Sequence, residues 1–159
     1  MKLLEIILLL FLLGNDEKPE EFIRLQEEER AKQQRVQECV VDVMEWTQDT
    51  PLRGFEYKIC KESEETGIDW RLVLSIGIVE SGLCKNTNFR YNCWSISVHN
   101  RKYNGYSDSI EDIFRLLVRY RERGLETPEQ ISKRYCPPTS EKWAKDVTYL
   151  INQMKGENK

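Results

Sequence analysis

The chain has 159 residues, with 24 basic and 27 acidic side chains and a formal net charge of −3; this length allows one domain of ordinary size with an appendage, not two full domains. At 40% hydrophobic and 32% charged, the composition excludes collagen-like, low-complexity and polytopic membrane classes, and the near-neutral total argues against a dedicated nucleic-acid binder. The charge is unevenly spread: residues 15–50 carry five basic and eleven acidic side chains, whereas residues 51–159 carry 18 basic and 15 acidic.

Met1-Lys2 precedes an apolar run, Leu3 to Leu13, interrupted only by Glu5. As a helix it rises about 17 Å, short of the ~30 Å hydrocarbon core of a bilayer. The run suits a secretory signal with Lys2 as its positive flank. Gly14 is the one small residue near its end, so it also reads as an uncleaved or truncated membrane anchor. Either reading predicts export to the cell envelope, periplasm or exterior. Residues 15–50 then form an acidic helical stalk, starting at Pro19 and carrying Phe22, Leu25, Val36, Cys39, Val43 and Trp46 at 3-4 spacing. Glu29 and Lys32 interrupt that seam, so any self-association of the stalk is weak. Its last third is apolar enough to dock on the remainder of the chain. Thr50-Pro51-Leu52-Arg53-Gly54 breaks the helix and marks the boundary of a body spanning residues 51–159.

In the body, residues 55–66 read as a helix capped by Gly67. Asp69 caps a helix running from Trp70 to Ser81, terminated at Gly82. Residues 83–107 lose helical period, with a small hairpin expected around Ile96–Val98 and Tyr103. Ser107 or Asp108 caps the next helix, carrying Ile110, Ile113, Phe114, Leu117 and Val118. Thr127-Pro128-Glu129-Gln130 is a capping box with proline at the first helical position. Pro137-Pro138 stops that helix, and Ser140 begins the last, with Trp143, Val147, Leu150 and Ile151 on one face that reads as core. The five cysteines lack CxxC spacing, which disfavours zinc. Cys84 and Cys93 enclose eight residues and can staple a loop; Cys60 and Cys136 can form a second bridge, leaving Cys39 free or intermolecular. Four cysteines allow three connectivities, and buried free thiols are the alternative.

Glu80 stands out. It emerges at the end of an apolar helix, where desolvation and the negative helix terminus both disfavour its charged form. A carboxyl kept protonated near neutral pH can serve as a general acid. Residues 81–107 contain no Asp or Glu, yet hold Lys85, Arg90, His99, Arg101 and Lys102 together with Phe89, Tyr91, Trp94, Tyr103 and Tyr106. Aromatic faces suit a sugar, and surplus positive charge suits an anionic polymer. His99 reads as a surface residue of the hairpin. Phosphate-binding glycine loops and ligand clusters are absent from the sequence, so no metal or cofactor is expected.

Asp69-Trp-Arg-Leu-Val-Leu-Ser-Ile-Gly-Ile-Val-Glu80-Ser-Gly resembles the helix that bears the catalytic glutamate in the lysozyme superfamily. It is closest to the bacterial endo-β-N-acetylglucosaminidase and lytic transglycosylase branches. Asn92-Cys-Trp-Ser-Ile96 resembles the N-x-x-G-I turn lining their sugar cleft, with Ser95 where that motif carries glycine. Tyr135-Cys-Pro-Pro followed by Trp143-Ala-Lys-Asp-Val resembles the glucosaminidase Y-x-x-x-P segment. The match spans roughly residues 55–154. It implies a mainly α, lysozyme-like α+β fold, with packed short helices and a small β-hairpin flanking a glycan groove. It also implies peptidoglycan or a related N-acetylated glycan as partner, with Glu80 and Tyr135 catalytic. Ser81, Tyr91, Asn92, Trp94, Ser95, Ile96, Tyr103 and Tyr106 are the expected substrate-binding residues.

Two-carboxylate glycosidases place a second acid within about 5–10 Å of the first. The hairpin region that usually supplies it has none here, and Asp108, Glu111 and Asp112 read as solvated residues at a helix start. The expectation is a single-acid mechanism assisted by the substrate's 2-acetamido group, giving hydrolysis, or by its 6-hydroxyl, giving an anhydro sugar. A non-catalytic glycan-binding module and a membrane-tethered scaffold are the competing classes.

Overall fold

The computed structural model describes residues 19–86, 90–97 and 101–157. The apolar run at residues 3–13 and His99 lie outside the described residues, as does Val98 of the expected hairpin. Among the described residues the secondary structure is helical throughout: α1 (Pro19–Thr47), α2 (Glu56–Thr66), α3 (Trp70–Ser81), α4 (Tyr106–Arg121), α5 (Pro128–Tyr135), a 3-10 turn (Pro137–Thr139) and α6 (Ser140–Lys155). None of these helices is long and apolar enough to cross a membrane.

The chain divides into two compact units between Gln34 and Arg35, inside α1. Residues 19–34 form the first unit, a charged helical stretch in which Arg24 pairs with Glu21 and Glu28 one turn to either side. The second unit therefore begins at Arg35, well before the break at Thr50–Gly54, because the last turns of α1 belong to its core. Val36 and Val43 are buried, Arg35 pairs with Glu64 of α2, and Cys39 is disulfide-bonded to Cys60. The bridge expected between Cys60 and Cys136 is thus replaced. Helix α1 brings Cys39 alongside α2, with the two Cα atoms 5.8 Å apart, and Cys136 is the free thiol. The second bridge, Cys84–Cys93, forms as expected. Two disulfides in so short a chain are the mark of an oxidising environment.

A buried turn follows α1. The Thr47 hydroxyl donates to Glu56 Oε1 at 2.7 Å, and the Gly54 N–H donates to the same carboxylate at 2.8–3.0 Å. Burial raises the Glu56 carboxyl, but these donors, its own backbone N–H and nearby Arg53 outweigh it and leave the group below its ordinary value. Helix α2 ends on left-handed Gly67. Helix α3 starts where the Asp69 carboxylate accepts the Arg71 N–H and stops at left-handed Gly82. Helix α4 begins at Tyr106, earlier than a Ser107 or Asp108 cap allows. Extended Gly105 takes the N-cap position, and Asp108 instead accepts the Asn104 N–H from within the first turn. The capping box of Thr127 and Gln130 forms in full at α5. Helix α6 packs on α3 and α5, and α2 packs on α4. Trp94, Phe114, Leu52, Leu74, Ile110 and Ile113 lie at the centre of the core.

No strand forms among the described residues. Both backbone groups of Ile96 are taken by one side chain: Asn92 Oδ1 accepts the Ile96 N–H and Asn92 Nδ2 donates to the Ile96 carbonyl, each at 3.0 Å. A residue so engaged has no N–H to offer a ladder, and the segment turns instead.

Candidate functional site

The last turn of α3 presents half-buried Glu80. Its Oε1 accepts the indole N–H of Trp143, in the first turns of α6, at 2.8 Å. Trp143 is 4% exposed and its ring stacks on Tyr135, the last residue of α5, with centroids 5.2 Å apart and planes at 29°. The Tyr135 hydroxyl donates to the Trp94 carbonyl. The Trp94 indole N–H in turn donates to the Val73 carbonyl of α3 at 2.8 Å. A closed circuit thus leaves α3 at Glu80 and returns to it at Val73. The two residues expected to be catalytic, Glu80 and Tyr135, meet across Trp143. Burial pushes the Tyr135 phenol well above its ordinary value, and the Glu80 charge pushes it further, so Tyr135 remains a neutral donor across the physiological range.

Gly77 makes the return contact possible. A Cβ there would lie 3.0 Å from Trp94 Nε1 and 2.9 Å from Leu83 Cδ2, inside van der Waals contact. The helix therefore carries a glycine in its interior despite the propensity cost of roughly 1 kcal/mol.

The described residues of the loop after α3 are tied together by side chains and a disulfide. The Ser81 hydroxyl donates to the Cys93 carbonyl at 2.7 Å and accepts the Cys84 N–H at 2.8 Å, inside the Cys84–Cys93 disulfide. Leu83, Cys84, Tyr91, Ser95 and Ser97 all have left-handed backbone, with φ between 42° and 70°. The position at which the resembled motif carries glycine, Ser95, is one of them, at φ 51°.

This arrangement corrects part of the expected sugar-binding set. Trp94 and Asn92 are fully buried, Ser81 and Ile96 nearly so, and the polar atoms of Ser81, Asn92 and Trp94 are bonded to backbone. They build the loop and leave no face for a ligand. Tyr91, Ser95, Tyr103 and Tyr106 remain partly exposed. The Tyr106 ring packs edge-on to Tyr91 at 4.9 Å and to Phe55 at 5.6 Å, and the Arg90 guanidinium lies over Tyr91.

Two residues of this region escape sequence reading. Asp112, expected to be solvated, is 2% exposed. It accepts the Tyr103 hydroxyl at 2.7 Å and Arg101 at 3.0 Å, with Arg115 at 3.8 Å. Burial and then the Asp112 contact raise the Tyr103 phenol. The available signal was the acid-free run itself, since Arg101 and Tyr103 require an acceptor from outside it. Trp143 reads as core and is core, yet a buried indole N–H needs a partner, and that partner is Glu80.

Among the described residues no group of three or more His, Cys, Asp and Glu side chains is placed to hold a metal ion. Comparison with protein-family models, with curated proteins and with solved structures gives no match to this chain.

Proposed function

We propose that this chain is an exported enzyme that cleaves glycan strands of peptidoglycan or a related N-acetylated polymer, with Glu80 as its single general acid. The observation carrying this reading is the meeting of Glu80 and Tyr135, which stand 55 positions apart in the sequence, across the buried indole of Trp143. The left-handed backbone at Ser95, where the resembled turn carries glycine, is consistent with it. The two disulfides support export.

In this mechanism Glu80 gives its proton to the glycosidic oxygen. The C1–O bond breaks with its electron pair passing to that oxygen, while the 2-acetamido carbonyl oxygen bonds to C1. The Tyr135 hydroxyl, its proton committed to the Trp94 carbonyl, keeps lone pairs to accept the acetamido N–H and so turns the carbonyl oxygen toward C1. Water then adds to C1, the ring formed by the acetamido group reopens, and a proton returns to Glu80. If the sugar's 6-hydroxyl attacks in place of water, the product is an anhydro sugar. Asp112 does not serve as the second carboxylate, because Tyr103 and Arg101 occupy it.

Product masses from purified peptidoglycan test the reading. Reducing ends identify a hydrolase and anhydro ends a transglycosylase. Full activity in Glu80→Gln overturns both; peptidoglycan binding without any cleavage by the wild-type chain identifies a glycan-binding module.

A further inference from the structure

We propose that Trp143 is the positioning residue of the candidate acid: its indole fixes which oxygen of Glu80 carries the proton. The inference rests on the glycosidase reading and adds a part that neither composition nor motif assigns.

An indole N–H can only donate. The carboxyl oxygen it meets must offer a lone pair, so with Oε1 held at 2.8 Å the acidic proton of Glu80 is directed to Oε2. Among the described residues Trp143 is the one hydrogen-bond partner shown for this carboxyl. The indole itself has little freedom. It is 4% exposed, one face is covered by Tyr135, Tyr135 is tied to the Trp94 carbonyl, and Trp94 is tied to α3. Glu80 stands at the end of that same helix. Carboxyl and donor are therefore referenced to one rigid element, which is what an acid needs to meet a glycosidic oxygen in a fixed geometry. A merely structural Trp143 would fill the same volume without the N–H mattering.

Trp143→Phe removes the N–H and keeps an aromatic ring against Tyr135. In the full chain, kcat on peptidoglycan is expected to fall on the order of 10- to 100-fold with KM little changed. The indole ¹⁵N–¹H resonance of Trp143, identified as the cross-peak missing from Trp143→Phe, is expected to shift with pH in the wild type and to stay still in Glu80→Gln. Wild-type kcat and KM in Trp143→Phe, alongside an inactive Glu80→Gln, overturn the positioning role and leave the glycosidase reading intact. Full activity in Glu80→Gln overturns that reading, and the positioning role with it. If Trp143→Phe does not fold, site-specific labelling identifies the cross-peak, and a position identical in wild type and Glu80→Gln at every pH overturns the inference.

Discussion

Gly77→Ala is the sharpest test of the packing behind the site. The added methyl meets Leu83 Cδ2 at 2.9 Å and Trp94 Nε1 and Cε2 at 3.0 and 3.5 Å. Leu83 is 2% exposed and Trp94 fully buried, so neither side chain can yield into solvent. Overpacking of this kind costs about 1–3 kcal/mol. A shift of Trp94 also strains its 2.8 Å bond to the Val73 carbonyl, and a buried N–H left unpaired costs about 1–3 kcal/mol. Against this stands the helix-propensity gain of alanine, about 1 kcal/mol. The balance is a loss of about 3 kcal/mol, which in a unit of this size lowers Tm by roughly 9–15 °C. Scanning calorimetry with guanidinium unfolding measures it. Gly105→Ser, at an extended N-cap with open space around it, is the control and is expected to be neutral or slightly stabilising. A Gly77→Ala variant as stable as the wild type would refute the close approach of Trp94 to α3.

Three further outcomes are expected from the same structure. Peptide mapping without reduction should return Cys39–Cys60 and Cys84–Cys93 pairs with Cys136 as the one thiol. Replacing Cys39 and Cys60 by serine should cost about 3 kcal/mol through the loop they close, whereas Cys136→Ser should cost little; a Cys60–Cys136 peptide would contradict this. Glu56 lies below its ordinary value when folded, so its contribution to stability is complete above about pH 4.5 and is lost as pH falls through the folded value. Glu56→Gln should flatten the acid limb of a stability–pH curve, and an unchanged slope argues against the buried turn. Ser95→Gly should raise stability by about 0.5–1 kcal/mol in denaturant titration by relieving φ 51°, while Ser95→Ala should give no such gain.

Signals confined to a few neighbouring residues were legible in the sequence. Asp69 and Gly82 bound α3, and Thr127 with Gln130 opens α5, because a cap is made by the chain's own adjacent groups. What escaped reading depends on partners far along the chain. At the described end of the expected hairpin, Ile96 lies in a turn because one Asn92 amide captures its backbone. The docking of the last third of α1 was legible from its apolar residues, but the cysteine pairing was not, because it depends on the register that places Cys39 beside Cys60. Asp112 looks solvated until Arg101 and Tyr103 are brought onto it from the preceding loop. Of the candidate site, Glu80 and Tyr135 were legible by type and motif, and Trp143 was not, because its apolar helix face hides the one polar atom that matters.

The loop between α3 and α4 shows why those pieces cohere. A connection with no other task would place glycine or asparagine where the backbone turns left-handed, since each other residue there costs about 1–2 kcal/mol. Here Leu83, Cys84, Tyr91, Ser95 and Ser97 adopt it and are held by a disulfide, by the Ser81 hydroxyl and by the Asn92 amide. Those restraints share one product, a fixed Trp94: its ring is locked against Gly77 and its carbonyl turned to the Tyr135 hydroxyl. Tyr135 then supports the Trp143 ring, and Trp143 holds Glu80. The strain sits in the loop, and the atom it fixes lies three contacts away on the carboxyl of α3.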